Sequence, residues 1–408
     1  MSLTELHMAV RTLPFLDAHA NAVGSVLELR ARPARRLLVW DPELVRDVFR
    51  ADRRLGHPGS RSLAPLFGSS SLLWAEGNRH QTYRRLLGTA LRGRGLLDYQ
   101  EIVATTIGEA LDELTPGSEL ALPDWTRRLT LRIVGRIILG PTGTELLDRF
   151  SGWMDNALGS RRRTLVHHYL RGGLPRSGDD LDRALVRAAK DNTATRPRTL
   201  ASMLLAERID DAELRDQIVS LLFAGHETTA SAAAWTLYQL NRDGPLRRDV
   251  LDELSTAGDG SDPTRVPLLQ AVLQEVLRLV PPVTVAENRT MPEDGFLGGR
   301  PLAAGTVLTP SIYLAHRRPD HFPQPRRFHP ERFLDVKFPP HQYFPFGGGS
   351  RFCPGSQLAQ LEVRMITAAA LRRQEWRCVN PRAAVPQLRG HAMAPSPRLR
   401  MEVLKCHD

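Results

Sequence analysis

Apolar positions recur at helical spacing through most of residues 79–240, and the same period returns over Leu268–Val280 and from about Gln357 to Arg373. Between these stretches the pattern changes. Ala34–Trp40 (ARRLLVW) reads as a short strand, and Asp41–Arg50 (DPELVRDVFR) as a helix with Asp41 as its cap and Pro42 at its first position. His57–Ser71 is rich in Gly, Ser and Pro and reads as a loop. From Pro281 to Pro310 short β-type segments are broken by Gly and Pro. A proline- and arginine-rich meander over Arg317–Pro340 follows, and beyond Cys378 the tail is irregular or β. This is a mainly α pattern with a small β part. No linker-like stretch and no repeat of fixed period interrupts it, so residues 1–408 are expected to form a single domain.

One helical segment departs from its own logic. Asp210–Leu240 opens on acidic capping residues and stays apolar for many turns, as a helix through the middle of a protein does. Its centre is Ala224-Gly225-His226-Glu227-Thr228-Thr229. A glycine there costs about 1 kcal/mol relative to alanine, and Glu227 puts a carboxylate into the most apolar stretch. A solvent-facing dip does not fit the flanks LLFA and ASAAAW, which offer no polar face. A zinc-protease HExxH does not fit either, because Ala230 stands where the second histidine belongs. What remains is a locally opened helix, with Ala224 small enough to let something approach and Glu227 and Thr228 as an acid–alcohol pair able to move protons. Further on, Glu275 and Arg278 share one face of Leu268–Val280 at i,i+3. Pro330-Glu331-Arg332-Phe333 offers a second arginine, Arg332, to the same carboxylate.

The chain is long enough, and at 42% hydrophobic apolar enough, to bury a large core. Its net charge of +10 comes almost wholly from arginine, since Lys190, Lys337 and Lys405 are its lysines. That bias fits either a GC-rich genome or attraction to an acidic partner protein or an anionic cofactor. Nucleic-acid binding is disfavoured, because the arginines are spread out and no aromatic-interleaved basic patch accompanies them. No apolar run reaches the roughly 18 residues of a membrane span, and the N-terminus (MSLTELHMAVRTLPF) lacks the pattern of a signal peptide. A cytoplasmic protein is expected. Three cysteines cannot all pair and lack CxxC spacing. Cys378 and Cys406 read as incidental, whereas Cys353, in FGGGSRFCPGSQLAQLE, is a buried structural thiol, a nucleophile or a metal ligand. His80 and Arg84 lie at i,i+4 on a helix, and Arg289 and Arg351 sit beside apolar or glycine-rich sequence. Singly these are solvated charges; together they can clamp a dianion.

These residues resemble the cytochrome P450 family over essentially the whole chain and in the family's order. The heme-loop pattern is complete as Phe346, Gly349, Arg351, Cys353 and Gly355, and the oxygen-activation pattern as Ala224 to Thr229. The ion pair is Glu275/Arg278, joined by Arg332. The resemblance implies a P450 fold, with a long central helix over heme b whose iron is ligated by the Cys353 thiolate. A thiolate ligand favours O–O cleavage. The helix after Cys353 and the glycine N–H groups would hold that sulfur ionised, and Phe346 would cover the loop. His80, Arg84, Arg289 and Arg351 would neutralise the heme propionates, Arg351 standing where the commonest bacterial form has histidine. Ala224 and Gly225 would border the heme. Glu227 and Thr228 would handle protons during O2 activation. Electrons would come from NAD(P)H through a separate ferredoxin and ferredoxin reductase, an acidic partner suiting the basic region Arg317–Arg332 and Arg351. Phe223, Ala224, Val283, Thr284, Val285 and Met393 are pocket candidates, each equally able to be ordinary core. Leu158–Ser177 falls where the family has its mobile lid, and its basic residues fit either a solvated face or an acidic, carrier-tethered substrate. The implied protein is a monomeric monooxygenase that hydroxylates or epoxidises a small organic substrate in bacterial natural-product or antibiotic biosynthesis. Oxidative ring formation, coupling or rearrangement is the alternative. A non-oxidising helper of the same fold is a further one, against which the intact Cys353, Glu227 and Thr228 speak.

Overall fold

Leu37, Leu38 and Val39 are at most 2% exposed, and so buried a strand is an inner one whose backbone groups need partner strands on both edges. In the computed structural model, which describes residues 2–20, 22, 24–59, 63–160, 163, 164, 166, 167, 173–194, 198–257, 266–390 and 392–407, those strands are present. Arg36–Val39 pairs antiparallel with Val26–Arg30 and parallel with Val307–Pro310. Val307–Pro310 in turn pairs antiparallel with Arg289–Thr290. This sheet belongs to the first of two bodies, residues 1–61 with 274–353; residues 62–273 with 354–408 form the second. The helix after the sheet's second strand is Pro42–Ala51, with Pro42 in its first turn and the Asp41 carboxylate accepting from Leu44 N at 2.9 Å.

The proline-rich meander of the first body has little regular structure, so its backbone groups need other partners. They find them in a buried ion pair. Glu275 and Arg278 are both 0% exposed, and the guanidinium binds the carboxylate through Nε at 2.6 Å and an NH2 group at 2.9 Å. The other donors of Arg278 reach the carbonyls of His316, Pro325 and Arg327 at 2.9, 2.7 and 3.2 Å. Glu275 also accepts from the His329 backbone N–H at 2.9 Å and from Arg332 Nε at 3.3 Å. Every strong donor and acceptor is thereby matched, the condition under which a buried ion pair is tolerated.

In the second body the helix Asp211–Arg242 runs for 32 residues, with Asp210 capping it through Glu213 N at 2.7 Å. It packs on the helices Leu122–Leu139 and Ser356–Arg373 and on the strand Ala392–Pro395. The expected opening at Ala224–Thr229 is not there: the α-helix is continuous. Its glycine has another cause. A Cβ on Gly225 would lie 2.7 Å from a methyl of Val134, so the residue is small because two helices cross at that point. Thr130 reinforces the crossing by donating its hydroxyl to the His226 carbonyl at 3.0 Å.

Two short elements depart from the sequence reading. Ala64–Phe67 forms a helical turn inside the expected loop, driven by complete burial of Leu66 and Phe67. Glu119–Ala121 is a strand inside the helical stretch, because Arg400–Cys406 pairs with it on one side and with Gln374–Cys378 on the other. The mainly α assignment with a small β part holds. No helix among the described residues is long and apolar enough to cross a membrane. In the stretch Leu158–Ser177, residues 161, 162, 165 and 168–172 lie outside the described set.

Glu275→Gln leaves a buried guanidinium without its countercharge. It is expected to lower unfolding free energy by about 3–5 kcal/mol in guanidinium titration, and a loss below about 1 kcal/mol would refute this account of the meander. Gly225→Ala is expected to destabilise the native protein by about 1–3 kcal/mol through overpacking. The same change in a Val134→Ala background should instead gain from alanine's better helix propensity. Equal effects in the two backgrounds would rule out the crossing as the reason for glycine.

Candidate active site

The cysteine loop in the first body is held by a carboxylate far from it in sequence. Asp52 opens the turn Asp52–Arg54 and is 2% exposed. It accepts from the Ser350 backbone N–H at 2.7 Å, from the Ser350 hydroxyl and from Arg289 Nε, with His57 Nε2 at 3.4 Å. Burial alone would raise the Asp52 carboxyl; the donors of His57, Ser350 and Arg289 overcome this and hold it well below the usual carboxylate range. Arg289 extends the grip, donating to Gly348 O at 3.1 Å and Glu287 O at 2.7 Å. Its first task is therefore to position the loop, a role the reading as a propionate cation had not included.

The loop itself can approach Asp52 only without side chains. Gly349 has φ +70°, in the left-handed region, and a Cβ there would fall 2.5 Å from the Asp52 carboxyl carbon. A Cβ on Gly348 would strike the ring of Phe49. Phe346 accepts the Cys353 N–H at 3.0 Å and its ring lies 6.3 Å from that of Phe352. Upstream, Phe344 N donates to His316 Nε2 at 2.9 Å. Burial, helped by Arg278, pushes the His316 imidazole well below its ordinary value, which keeps it neutral and able to accept. Cys353 is half-buried. Arg351 reaches Glu287 at 3.7 Å; burial raises the Glu287 carboxyl in spite of Arg351 and Arg289. Of the pocket candidates here, Thr284 is buried, and Val283 and Val285 are half-buried.

The second body carries the other candidates. Every residue of the long helix from Leu214 to Tyr238 is buried except Ala224, Gly225 and Thr228. These stand at i, i+1 and i+4, one small open face on a helix otherwise closed by packing. The Thr228 hydroxyl donates to Ala224 O at 2.8 Å. One turn earlier Phe223 packs on Phe67, ring centroids 4.5 Å apart, with Trp74 6.2 Å from Phe67. Met393 is 0% exposed, which places its side chain in the core and corrects its reading as a pocket residue. Its carbonyl instead accepts the Ser231 hydroxyl at 2.5 Å. His80 and Arg84 are half-buried on the helix Gly77–Ala90, one turn apart, and Gly355 is the residue before the helix Ser356–Arg373.

Glu227 does not share the open face of Thr228. Its carboxylate is bound by Arg127 Nε at 2.7 Å and lies 3.6 Å from His226 Nε2. Burial would raise this carboxyl, but His226, Arg127 and Arg389 outweigh it and bring it down to about 2. Glu227 is thus a carboxylate at neutral pH.

The sequence model of the family described as cytochrome P450 matches residues 178–403. Cytochrome P450 135A1 of Mycobacterium tuberculosis is 30% identical, the match covering 88% of this chain and 83% of that protein. The chain belongs to the cytochrome P450 family. A second relative, cyclooctat-9-en-7-ol 5-monooxygenase of Streptomyces melanosporofaciens, is 31% identical over 90% of this chain and 85% of its own. Among solved structures, a retinoic acid-bound cyanobacterial P450 superposes with a TM-score of 0.82 at 23% identity, covering 96% of this chain and 94% of that one. A zebrafish cytochrome P450 with progesterone gives 0.80 at 25% identity, covering 96% and 99%. The P450 fold and the family's class of activity, heme-dependent monooxygenation, come with that membership.

The residues present fit a heme. A half-buried thiol lies on a loop pinned by buried charges, and the long helix keeps one small-residue face open. Two positioning residues escaped the sequence reading. Asp52 stands in RADRRL and Arg127 in WTRRLTLR, each looking like a surface charge among arginines; their only sequence signal was an ionisable residue beside a strongly apolar run. Asp52→Asn removes the charge that holds Arg289 and is expected to weaken heme retention at least about tenfold, since an unpaired buried charge costs about 3–5 kcal/mol. Heme loss to apomyoglobin measures it, and a wild-type rate would refute the role.

Proposed function

We propose that this P450 inserts one oxygen atom into a small apolar molecule of the natural-product type, and that a terpenoid is the first class to test. Heme ligated by a cysteine thiolate supplies O2 activation when bound. Cys353 would be that ligand, on the loop anchored by Asp52 and Arg289. The observation that carries the reading is the open face of Ala224, Gly225 and Thr228 on a helix that is otherwise buried, in a chain of this family. Two small residues make room there, and one hydroxyl is available for hydrogen bonding. Phe223, the residue before Ala224, is 7% exposed and is backed by the buried ring of Phe67, and an aromatic side chain beside the face favours carbon-rich ligands over charged ones. The Streptomyces relative named for a cyclooctatenol adds support for terpenoids.

In this reading Thr228 holds a proton donor at the site of O2 activation and Glu227 passes protons on from water as a base. His80, Arg84 and Arg351 neutralise the propionates of heme b, the 408 residues act as one P450 domain, and electrons from NAD(P)H arrive through a ferredoxin and its reductase.

The test is an absorbance titration of the purified ferric protein with terpenes, macrolides, peptides and carrier-bound acids, followed by turnover of the responding class. A low- to high-spin shift with a terpene and a product heavier by one oxygen atom are expected. A product that has lost two hydrogens would replace insertion by ring formation or coupling. Thr228→Ala should keep consuming reductant while releasing peroxide in place of product, and an unchanged product yield per electron would remove Thr228 from the reaction.

A further inference from the structure

The open face at Ala224 and Thr228 continues towards the start of the long helix, and there it is covered. Gln217, Ser220, Ala224 and Thr228 stand at i, i+3, i+7 and i+11 of Asp211–Arg242, so they share one side of it. Gln217 is 0% and Ser220 1% exposed. The cover is the segment 68–72, which follows the helical turn Ala64–Phe67 and packs in the same body. Among the described residues, Ser220 is the fastening point nearest the open face, one turn before Ala224.

Gln217 carries the centre of this fastening. Its amide donates to the Ser70 carbonyl at 2.6 Å and accepts from the Leu72 N–H at 2.8 Å, as one strand edge meets another. It also reaches the Tyr83 hydroxyl at 3.3 Å. On one flank Asp216 accepts from the Ser70 N–H at 3.0 Å. On the other, Ser220 donates its hydroxyl to Asp216 O at 2.6 Å and so accepts from the Ser71 hydroxyl at 2.7 Å. Gly68 has φ +76°, and a Cβ there would overlap the Asp216 carboxylate, so the backbone comes as close as it can. The outer side of the segment offers no apolar support. Gly68 and Ser69 line a cavity of about 960 Å³ together with Asp182, Arg187, Arg215 and Asp216, charged walls that hold water. Burial of Leu66 and Phe67 anchors one end of the segment; its hydrogen bonds to the helix fix the rest.

We propose that Gln217 is a positioning residue that sets ligand length: by holding the segment 68–72 on the long helix it closes the shared face at Ser220 and confines a ligand to the stretch opened by Ala224 and Thr228. The proposal rests on the reading given above of that face as the ligand's side of the helix. Lifting the segment would extend the open face from Ala224 back to Gln217, about 10 Å along the helix axis. Without the Gln217 amide, the Ser70 carbonyl and the Leu72 N–H lose their partners, and they regain them from water only if the segment lifts.

The experiment compares heme-loaded wild type with Gln217→Met, which keeps the side-chain volume and loses both bonds to the segment, and with Ser220→Ala, which removes one bond at its edge. Amide hydrogen exchange of residues 68–74 is read alongside absorbance titration with N-butylimidazole and N-dodecylimidazole, whose free ring nitrogen ligates iron whatever the natural substrate. Gln217→Met should speed exchange at least about tenfold, as loss of paired backbone groups implies. It should also tighten the dodecyl compound relative to the butyl one at least about tenfold, the effect of burying two further methylene groups. Ser220→Ala should move both readouts the same way by less, and it decides the matter if Gln217→Met does not fold. Faster exchange with the wild-type preference between the two imidazoles, or with both weakened equally, would reduce the fastening to a structural one and overturn the proposal. Unchanged exchange would overturn it too. Neither probe is a terpene, so the outcome does not depend on that substrate class. A wild type without a heme spectrum would instead overturn the reading of the site on which the proposal rests.

Discussion

A carboxylate taken out of water is costly unless donors surround it, and much of the first body is arranged to surround Asp52. Arg289, Ser350 and His57 all converge on it. Because Arg289 also holds the Gly348 carbonyl, one buried negative charge ties the strand Arg289–Thr290, the turn after Pro42–Ala51 and the cysteine loop together. Glycine at 349 follows from this: the loop must come so close to Asp52 that no side chain fits. The loop is held by these donors at several points, the kind of support that fixes the orientation of a side chain in a site.

The two carboxylates buried in the long helices solve the same problem differently. Glu275 is saturated by Arg278, Arg332 and a backbone N–H, and its neighbours are carbonyls of a segment with little other structure. Glu227 is bound by a guanidinium that is itself shared, with the His226 imidazole 3.6 Å away. Saturation makes Glu275 a fixed joint, whereas Glu227 keeps fewer partners. The contrast is visible in burial as well: Glu275 is 0% exposed, and Glu227 is 9% exposed at the wall of a cavity.

Residues that work in consecutive order were readable from the sequence. The cysteine loop, the i,i+3 pair and the capped helix at Asp41 each declare themselves within a few positions. Residues that work across the fold were not. Asp52 lies 237 positions from Arg289, and Arg127 lies 100 from Glu227; in each case the local sequence is an ordinary charged one and only tertiary pairing singles the residue out. The opened helix failed for a related reason. Local propensity counts Gly225 as a cost, and it takes the neighbouring helix, with Val134 against it, to show what offsets that cost. Met393 failed because an apolar residue in a strand near the site has the same sequence signature whether it faces a ligand or the core.

The open face of the long helix also sets limits on how this protein can be re-engineered. Gly225 looks like free space on that face, yet the place of its missing Cβ is already occupied by Val134. Ala224, by contrast, is exposed. Libraries meant to reshape ligand preference can therefore vary position 224 without disturbing the helix Leu122–Leu139, whereas any side chain at position 225 must be accompanied by a smaller residue at 134. Two adjacent small residues thus pose different design problems, one at an exposed position and one at a helix crossing.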